Sequence, residues 1–158
     1  MLTELCGYLK NWFVDKMLYG DFKIVDGVLT YEDGTDLPLQ EGQYFRIVGS
    51  IFNDGCHQTI PQGAEGDNSL SNPTLKDEEF NGSVWTMKVP PEVLDIAKDI
   101  EDWQKKYGGV DSPALSPFSS ESFGGYSYSK SAGNTATGET GTTWQSVFGN
   151  RLNRYRKV

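Results

Sequence analysis

Chemically reactive side chains are scarce in this sequence. It holds two cysteines, Cys6 and Cys56, and a single histidine, His57. The cysteines match neither a CxxC motif nor a disulfide framework, so we expect reduced, mostly buried thiols in a reducing compartment. One imidazole without clustered cysteines or histidines does not make a zinc site. Cys56 and His57 are neighbours on a predicted strand and would point to opposite faces, which argues against a catalytic pair.

Long apolar runs and catalytic motifs are also absent. No apolar stretch reaches the roughly 18 residues of a membrane span, and no basic region leads into an apolar one near the N-terminus, as a signal peptide requires. The phosphate-binding patterns GxxxxGK[ST] and GxGxxG are missing, as are GxSxG and HExxH. We therefore expect a protein made and used in a cytoplasm that does not bind membranes, is not an enzyme, and carries no cofactor and no metal.

Positive charge is limited. The chain has 14 basic and 22 acidic residues, a formal net charge of −8. The resulting negative electrostatic field opposes docking on a phosphate backbone. We therefore expect no specific nucleic-acid binding. The basic residues Arg151, Arg154, Arg156 and Lys157 nevertheless cluster near the end of the chain. They could dock on an acidic neighbour, including another copy of the chain, or simply offset the dipole of a terminal helix.

Apolar residues at helical spacing predict three helices. The predicted central helix opens at Pro90–Pro91, and Gly108–Gly109 ends it. The predicted apolar positions of the N-terminal helix are Leu5, Tyr8, Leu9, Trp12 and Phe13; those of the central helix are Val93, Ile96, Ala97, Ile100, Trp103 and Tyr107; those of a last helix, from Thr143 onward, are Trp144, Val147, Phe148, Leu152 and Tyr155.

Alternating apolar residues predict strands between the first two helices. The runs 22–25 and 28–31 flank Asp26-Gly27, a tight-hairpin signal. A long strand over 43–52 is followed by the turn formers Asn53-Asp54-Gly55 and a partner strand at 56–60. Residues 22–60 therefore predict a small meander or barrel-like sheet. A further strand is predicted at 83–89, after a polar insertion over 61–79.

The segment 111–143 is mostly Ser, Thr and Gly, with Phe118, Phe123, Tyr126 and Tyr128 spaced along it. An extended arm that adds a strand to another chain's sheet fits this pattern; a loop packed on its own domain is the alternative. The whole sequence thus predicts a single α+β domain over 1–158. Its N-terminal, central and C-terminal helices carry a small antiparallel sheet or barrel-like insertion and a long extended arm. The parts are a β-rich portion (22–89), the central helix (90–110), the arm (111–143) and a basic C-terminal helix (144–158).

Asp95, Asp99 and Asp102 fall on one face of the predicted central helix. Such a row could bind a divalent cation, meet a basic partner, or serve an unrecognised hydrolase, but a solvated helix face is the simpler interpretation. Asp26-Gly27 and Asn53-Asp54-Gly55 resemble fragments of calcium loops. They lack the later acidic ligands at the required spacing, so we interpret both as turns.

The second half of the chain resembles a known family in the order of its features. A helix that begins at Pro90 and ends at Tyr107 leads into the segment SSESFGGYSY at 119–128, and a terminal helix ends in Tyr155-Arg156-Lys157-Val158. This order, over residues 90–158, resembles the head–tail connector (neck adaptor, or head-completion) proteins of tailed phages and Gram-positive prophages. The sheet at 22–60 departs from the mostly helical small adaptors.

The resemblance implies a structural subunit that forms a ring of twelve copies in the virion neck, made in the host bacterial cytoplasm. Its partners would be other copies of itself, the portal protein, and another neck or tail protein. It places portal or partner docking on Trp144, Phe148, Arg151, Leu152, Arg154, Tyr155, Arg156 and Lys157. It places contacts between subunits on the arm residues Phe118, Phe123, Tyr126 and Tyr128.

An alternative interpretation is a stand-alone β-rich binding module. Tyr44, Phe45, Phe52 and Trp85 would then form an aromatic platform for a glycan or a peptide.

Overall fold

The computed structural model describes residues 1–61, 70–107, 120–123, 126–129 and 143–157. The chain divides into two compact units. The first, here the helical unit, combines Met1–Lys10 with Pro90–Val158, and the second, the sheet unit, is Asn11–Val89. In the described part of the chain, no helix has the length and apolar character that a membrane crossing requires.

The sheet unit is a curled antiparallel half-barrel of five main strands. These are β1 (Val14–Val25), β2 (Val28–Tyr31), β3 (Tyr44–Val48), β4 (Gly55–Gln58) and β7 (Glu78–Met87), and two short strands, β5 (Ile60–Pro61) and β6 (Leu70–Ser71), extend one edge. The spatial order is β4-β3-β7-β1-β2-β6-β5. The long strands β1 and β7 therefore lie at the centre, in a register that sets Phe22 opposite Phe80.

One face of the curled sheet holds the core of this unit, because alternate residues of a strand point to the same side. Phe22 and Phe80 pack with their ring centroids 5.4 Å apart, and Phe45, Ile47 and Val84 are almost fully buried. The whole cluster comprises Phe22, Ile24, Leu29, Leu37, Phe45, Ile47, Leu75, Phe80 and Val84.

The predicted Asp26-Gly27 hairpin is confirmed. Val25 pairs with Val28, and both turn residues have positive φ, 49° at Asp26 and 78° at Gly27. These angles belong to the turn whose twist matches that of the flanking strands. The predicted partner strand after Asn53-Asp54-Gly55 is also confirmed, because β4 runs antiparallel to β3.

The helical unit contains α1 (Leu2–Leu9), α2 (Pro91–Tyr107) and α3 (Trp144–Leu152), followed by a 3₁₀ turn at Asn153–Tyr155. The prediction for α2 is confirmed, since its buried residues are Val93, Ile96, Ala97, Ile100, Trp103 and Tyr107. The start of α3 is confirmed as well, because the Thr143 side chain accepts a hydrogen bond from the Ser146 amide. Trp144, Phe148 and Leu152 form its buried face.

The predicted N-terminal helix is too long. α1 ends where Lys10 adopts a left-handed conformation (φ 51°) and its amide bonds back to the last turn of the helix. Trp12 and Phe13 therefore lie beyond the helix, in the sheet unit. Trp12 and Phe13 extend the apolar spacing of the helix by two residues, although they belong to the sheet unit.

The predicted fold class, helices carrying a small sheet insertion, is wrong. The chain is predominantly sheet, and its helices are not the dominant feature. β1 starts at Val14 instead of residue 22, and β7 at Glu78 instead of residue 83. Both missed stretches carry polar residues and glycine, which are rare in strands and hide the alternation.

Two other predicted elements also differ. The strand expected over 43–52 ends at Val48, because the chain turns at Gly49 with φ 98°. Of the predicted arm, the structure describes only β8 (Ser120–Phe123) and β9 (Tyr126–Ser129), which pair as an antiparallel hairpin. The remainder of 111–142 lies outside the described residues.

Candidate protein-docking sites

The predicted docking residues near the C-terminus divide into two groups. Trp144, Phe148 and Leu152 are buried in the helical unit, at 4%, 1% and 0% exposure, and so pack in that unit's own core. Tyr155 is half-buried. Arg151 donates from Nη1 to Oδ2 of Asp99 at 2.6 Å, an ion pair between α3 and α2.

Arg154, Arg156 and Lys157 are the exposed members of the predicted set. The amide of Lys157 donates to the carbonyl of Leu9 at 2.9 Å. The guanidinium of Arg156 lies 5.4 Å from the ring centroid of Tyr8. These contacts hold the last described residues against α1. Lys10, the residue that follows α1, is exposed. We call Lys10, Arg156 and Lys157 the basic segment.

The acidic row on α2 is engaged within the helical unit. Asp99 pairs with Arg151, and Asp102 lies 3.7 Å from Nζ of Lys105. Asp95 lines a cleft of about 390 Å³ together with Glu92, Ile96, Asn150, Arg151 and Arg154. Nowhere in the described ranges do three His, Cys, Asp or Glu side chains gather as metal ligands. Asp99 and Asp102 are therefore paired with cations, and Asp95 shares its cleft with Arg151 and Arg154.

The predicted arm residues are only partly placed. Phe118 lies outside the described residues. Phe123 and Tyr126 face each other in the β8–β9 register, and Tyr128 pairs with Glu121.

The structure does not bring the four platform residues together. Phe45 is buried in the sheet core at 1% exposure, whereas its neighbour Arg46 pairs with Trp85 on the opposite face. Tyr44 is half-buried at the start of β3, and Phe52 lies in the loop that follows β3. A single aromatic surface made of these residues is therefore not formed.

Arg46 lies instead between two tryptophans on the outer face of the sheet. Its guanidinium carbon is 3.4 Å from the ring centroid of Trp12 and 4.7 Å from that of Trp85. Arg46 Nε is buried and, among the described residues, has no hydrogen-bond partner. Stacking on indole faces stabilises a partly buried guanidinium of this kind.

The loop between β3 and β4, residues 49–54, combines two strongly exposed apolar side chains with deeply buried polar ones. Ile51 and Phe52 are 84% and 61% exposed, whereas Ser50 and Asn53 on either side are 8% and 3% exposed. We call Ile51 and Phe52 the apolar tip.

The carboxylate of Glu78 organises this loop. Its Oε1 accepts from the Ile51 amide at 2.8 Å, and its Oε2 accepts from the Phe52 amide at 3.3 Å and from Asn53 Nδ2 at 3.0 Å. The Ser50 hydroxyl also donates to Oε2. Burial raises the pKa of the Glu78 carboxyl, but these four hydrogen bonds outweigh burial and hold the pKa below its ordinary value. The carboxylate thus stays ionised at neutral pH.

Asn53 completes the framework from inside the loop. Its side chain accepts from the Lys76 amide at 2.8 Å and donates to the Lys76 carbonyl at 2.9 Å. Its amide donates to Ser50 Oγ at 2.7 Å, and its carbonyl accepts from His57 Nε2 at 2.8 Å. Burial lowers the pKa of His57, against the opposing effects of the Asn53 carbonyl and the Asp54 charge, so folding disfavours the protonated ring. The tip is therefore held by a rigid, bonded loop.

Sequence reasoning missed this tip, because Ile51 and Phe52 continued the alternation of a strand. The available signal was their position between Gly49-Ser50 and Asn53-Asp54, both pairs of turn formers. The role of Glu78 had no local signal, because it lies 26 residues after Phe52.

Comparison of the chain with family models, with curated proteins and with solved structures gives no match.

Proposed function

We propose that this chain is a non-enzymatic structural subunit of a tailed-phage neck, which forms a ring and joins the portal to the next neck or tail component. The proposal rests on the family resemblance over residues 90–158 and on one structural observation, the exposed basic segment held against α1.

The basic segment suits a docking role because it is exposed and its backbone is fixed. The bond from the Lys157 amide to the Leu9 carbonyl and the contact of Arg156 with Tyr8 reduce the freedom that docking would otherwise remove. Its charge is opposite to the net charge of −8 of the chain. An acidic surface, on the portal or on another copy, would attract this segment and set its orientation.

The buried aromatic face of α3 limits which residues can make the docking contact. Trp144, Phe148 and Leu152 already fill the core of the helical unit, so the docking contact falls on the exposed cations. A contact made by exposed cations is electrostatic, and its affinity should fall as the salt concentration rises.

The test is binding to a portal protein encoded in the same genome, measured by light scattering and by native mass. The double variant Arg156→Glu/Lys157→Glu should weaken portal binding at least tenfold, and wild-type binding should fall as salt rises. The variant Lys98→Glu/Lys105→Glu makes the same charge change on α2 and should bind like wild type. A wild-type chain that neither forms an oligomer nor binds the portal would contradict the proposal.

A further inference from the structure

The apolar tip has no role in the proposed portal contact. Ile51 and Phe52 belong to the sheet unit, whereas the basic segment belongs to the helical unit. A contiguous patch of exposed apolar side chains can mark a protein-interaction site. Here, side-chain acceptors fix the loop backbone: the amides of Gly49, Ile51 and Phe52 bond to carboxylates, and that of Asn53 to a hydroxyl.

We propose that the apolar tip inserts as a unit into an apolar pocket, rimmed by basic residues, on the next neck or tail component. The inference rests on the proposed function for the identity of that partner. It adds a second docking site of different chemistry to the basic segment.

The rigidity of the loop supports insertion into a preformed pocket. A residue pair already held in its bound shape loses little conformational freedom on docking, so more of the burial free energy appears as affinity. Buried aromatic and aliphatic anchors of this kind commonly dominate protein interfaces. Ile51 and Phe52 are the two residues that the Glu78 and Asn53 framework turns outward.

The charges around the tip select the rim of the pocket. Asp54 lies in the loop and the Glu78 carboxylate bonds to it, whereas Lys76 is the neighbouring cation, with Nζ 5.8 Å from the Phe52 ring centroid. The surroundings of the tip are therefore acidic on balance. They would repel an anionic membrane surface, and they complement a pocket edged with Lys or Arg.

The cleft between α2 and α3 of a second copy is a poorer site for the tip. The cleft between α2 and α3 is lined by Glu92, Asp95, Asn150, Arg151 and Arg154, with Ile96 as its apolar member. Burying Ile and Phe there would leave charged groups without solvent. A different protein with an apolar pocket matches the tip.

The test uses the full chain, the portal protein and the next neck component encoded in the same genome, with each binary affinity measured by calorimetry. Ile51→Ser/Phe52→Ser should raise the Kd for the next component about a hundredfold and leave the Kd for the portal unchanged. The control Met17→Ser/Tyr19→Ser removes exposed apolar surface from β1, at 45% and 70% exposure, and should change neither Kd.

A second variant tests the framework itself. Glu78→Gln keeps one acceptor oxygen but loses the negative charge that accepts four hydrogen bonds. The loop should therefore become more mobile, and the Kd for the next component should rise about tenfold. Circular dichroism of each variant checks that the sheet is retained.

The possible failures are distinguishable. Unchanged binding of Ile51→Ser/Phe52→Ser to the next component, beside a portal contact that the basic-segment variant abolishes, overturns the tip inference alone. Loss of portal binding in the tip variant also overturns it. A wild-type chain that binds neither protein contradicts the proposed function, and the tip inference falls with it.

Discussion

The indole Nε1 of Trp144 donates a 2.9 Å hydrogen bond to the carboxylate of Glu4, across 140 residues of chain. The same tryptophan packs edge-on against Tyr8, with ring centroids 5.2 Å apart. These contacts join α3 to α1. The C-terminal helix is therefore a structural part of the helical unit, and it precedes Arg156 and Lys157 of the basic segment.

Phe148→Ala should destabilise the helical unit by about 3–5 kcal/mol, because a ring at 1% exposure would leave a cavity in its core. Urea denaturation followed by circular dichroism measures the change. Gln145→Ala, on the same helix but only half-buried, should shift the free energy of unfolding by less than about 0.5 kcal/mol. Equal stability of the two variants would contradict the packing described for α3.

Alanine substitution should have opposite effects on stability at two glycines. A Cβ on Gly82 of β7 would lie 2.2 Å from the Val48 carbonyl oxygen of β3, so Gly82→Ala must push apart two paired strands and lower the melting temperature. A Cβ on Gly149 of α3 meets nothing within 4 Å. Gly149→Ala should therefore stabilise the chain by about 0.5–1 kcal/mol, since alanine favours the helix. Thermal melts of both variants check the pair, and a neutral Gly82→Ala would contradict the close approach.

Arg46→Lys should lower the free energy of unfolding by about 1 kcal/mol, because an ammonium cannot stack on two indoles as the planar guanidinium does. Tryptophan fluorescence should shift in the folded state, since Trp12 and Trp85 contact this group. Arg156→Lys, at an exposed position, is the control and should be within about 0.5 kcal/mol of wild type. A fully stable Arg46→Lys would show that the stack contributes nothing.

Stability should decrease as the pH falls through the range in which histidine titrates. Burial lowers the pKa of His57 in the folded state, so below about 6.5 the unfolded chain binds a proton that the folded chain does not. The full contribution is present above that pH, and the loss cannot exceed about 1.4 kcal/mol per pH unit for one proton. Urea denaturation between about pH 7.5 and 5.5 measures it.

His57→Gln is the matched variant, because His57 is the single histidine of the chain. Its free energy of unfolding should be nearly independent of pH over the same range. A wild-type profile that is equally flat would contradict the lowered pKa of His57.

Sequence patterns predicted the elements whose signals are local. The buried face of α2 followed from apolar spacing between Pro91 and Tyr107, and the β1–β2 turn followed from Asp26-Gly27. In both cases the residues that specify the element lie within it. Local patterns of this kind survive folding because tertiary packing reinforces them.

The strands that sequence patterns missed are specified by distant partners. The start of β1 pairs with the end of β7, as in Met17 opposite Trp85, and such pairing leaves little trace in either segment alone. The same holds for the apolar tip, where Glu78 supplies the acceptors that turn Ile51 and Phe52 outward. Without knowledge of the partner strand, the sequence of an exposed tip cannot be told from that of a strand end.

The sheet unit, Asn11–Val89, is continuous in the chain, whereas the helical unit is assembled from segments on both sides of it. During synthesis the sheet can therefore fold while α2 and α3 are still being made. α1, whose Leu5 and Leu9 are at 0% exposure in the finished protein, must wait for Trp144 before Glu4 and Tyr8 find their partner and the helical unit closes. Over that interval α1 is an unfinished surface on a nascent chain, and a ribosome paused before residue 144 would present it to chaperones.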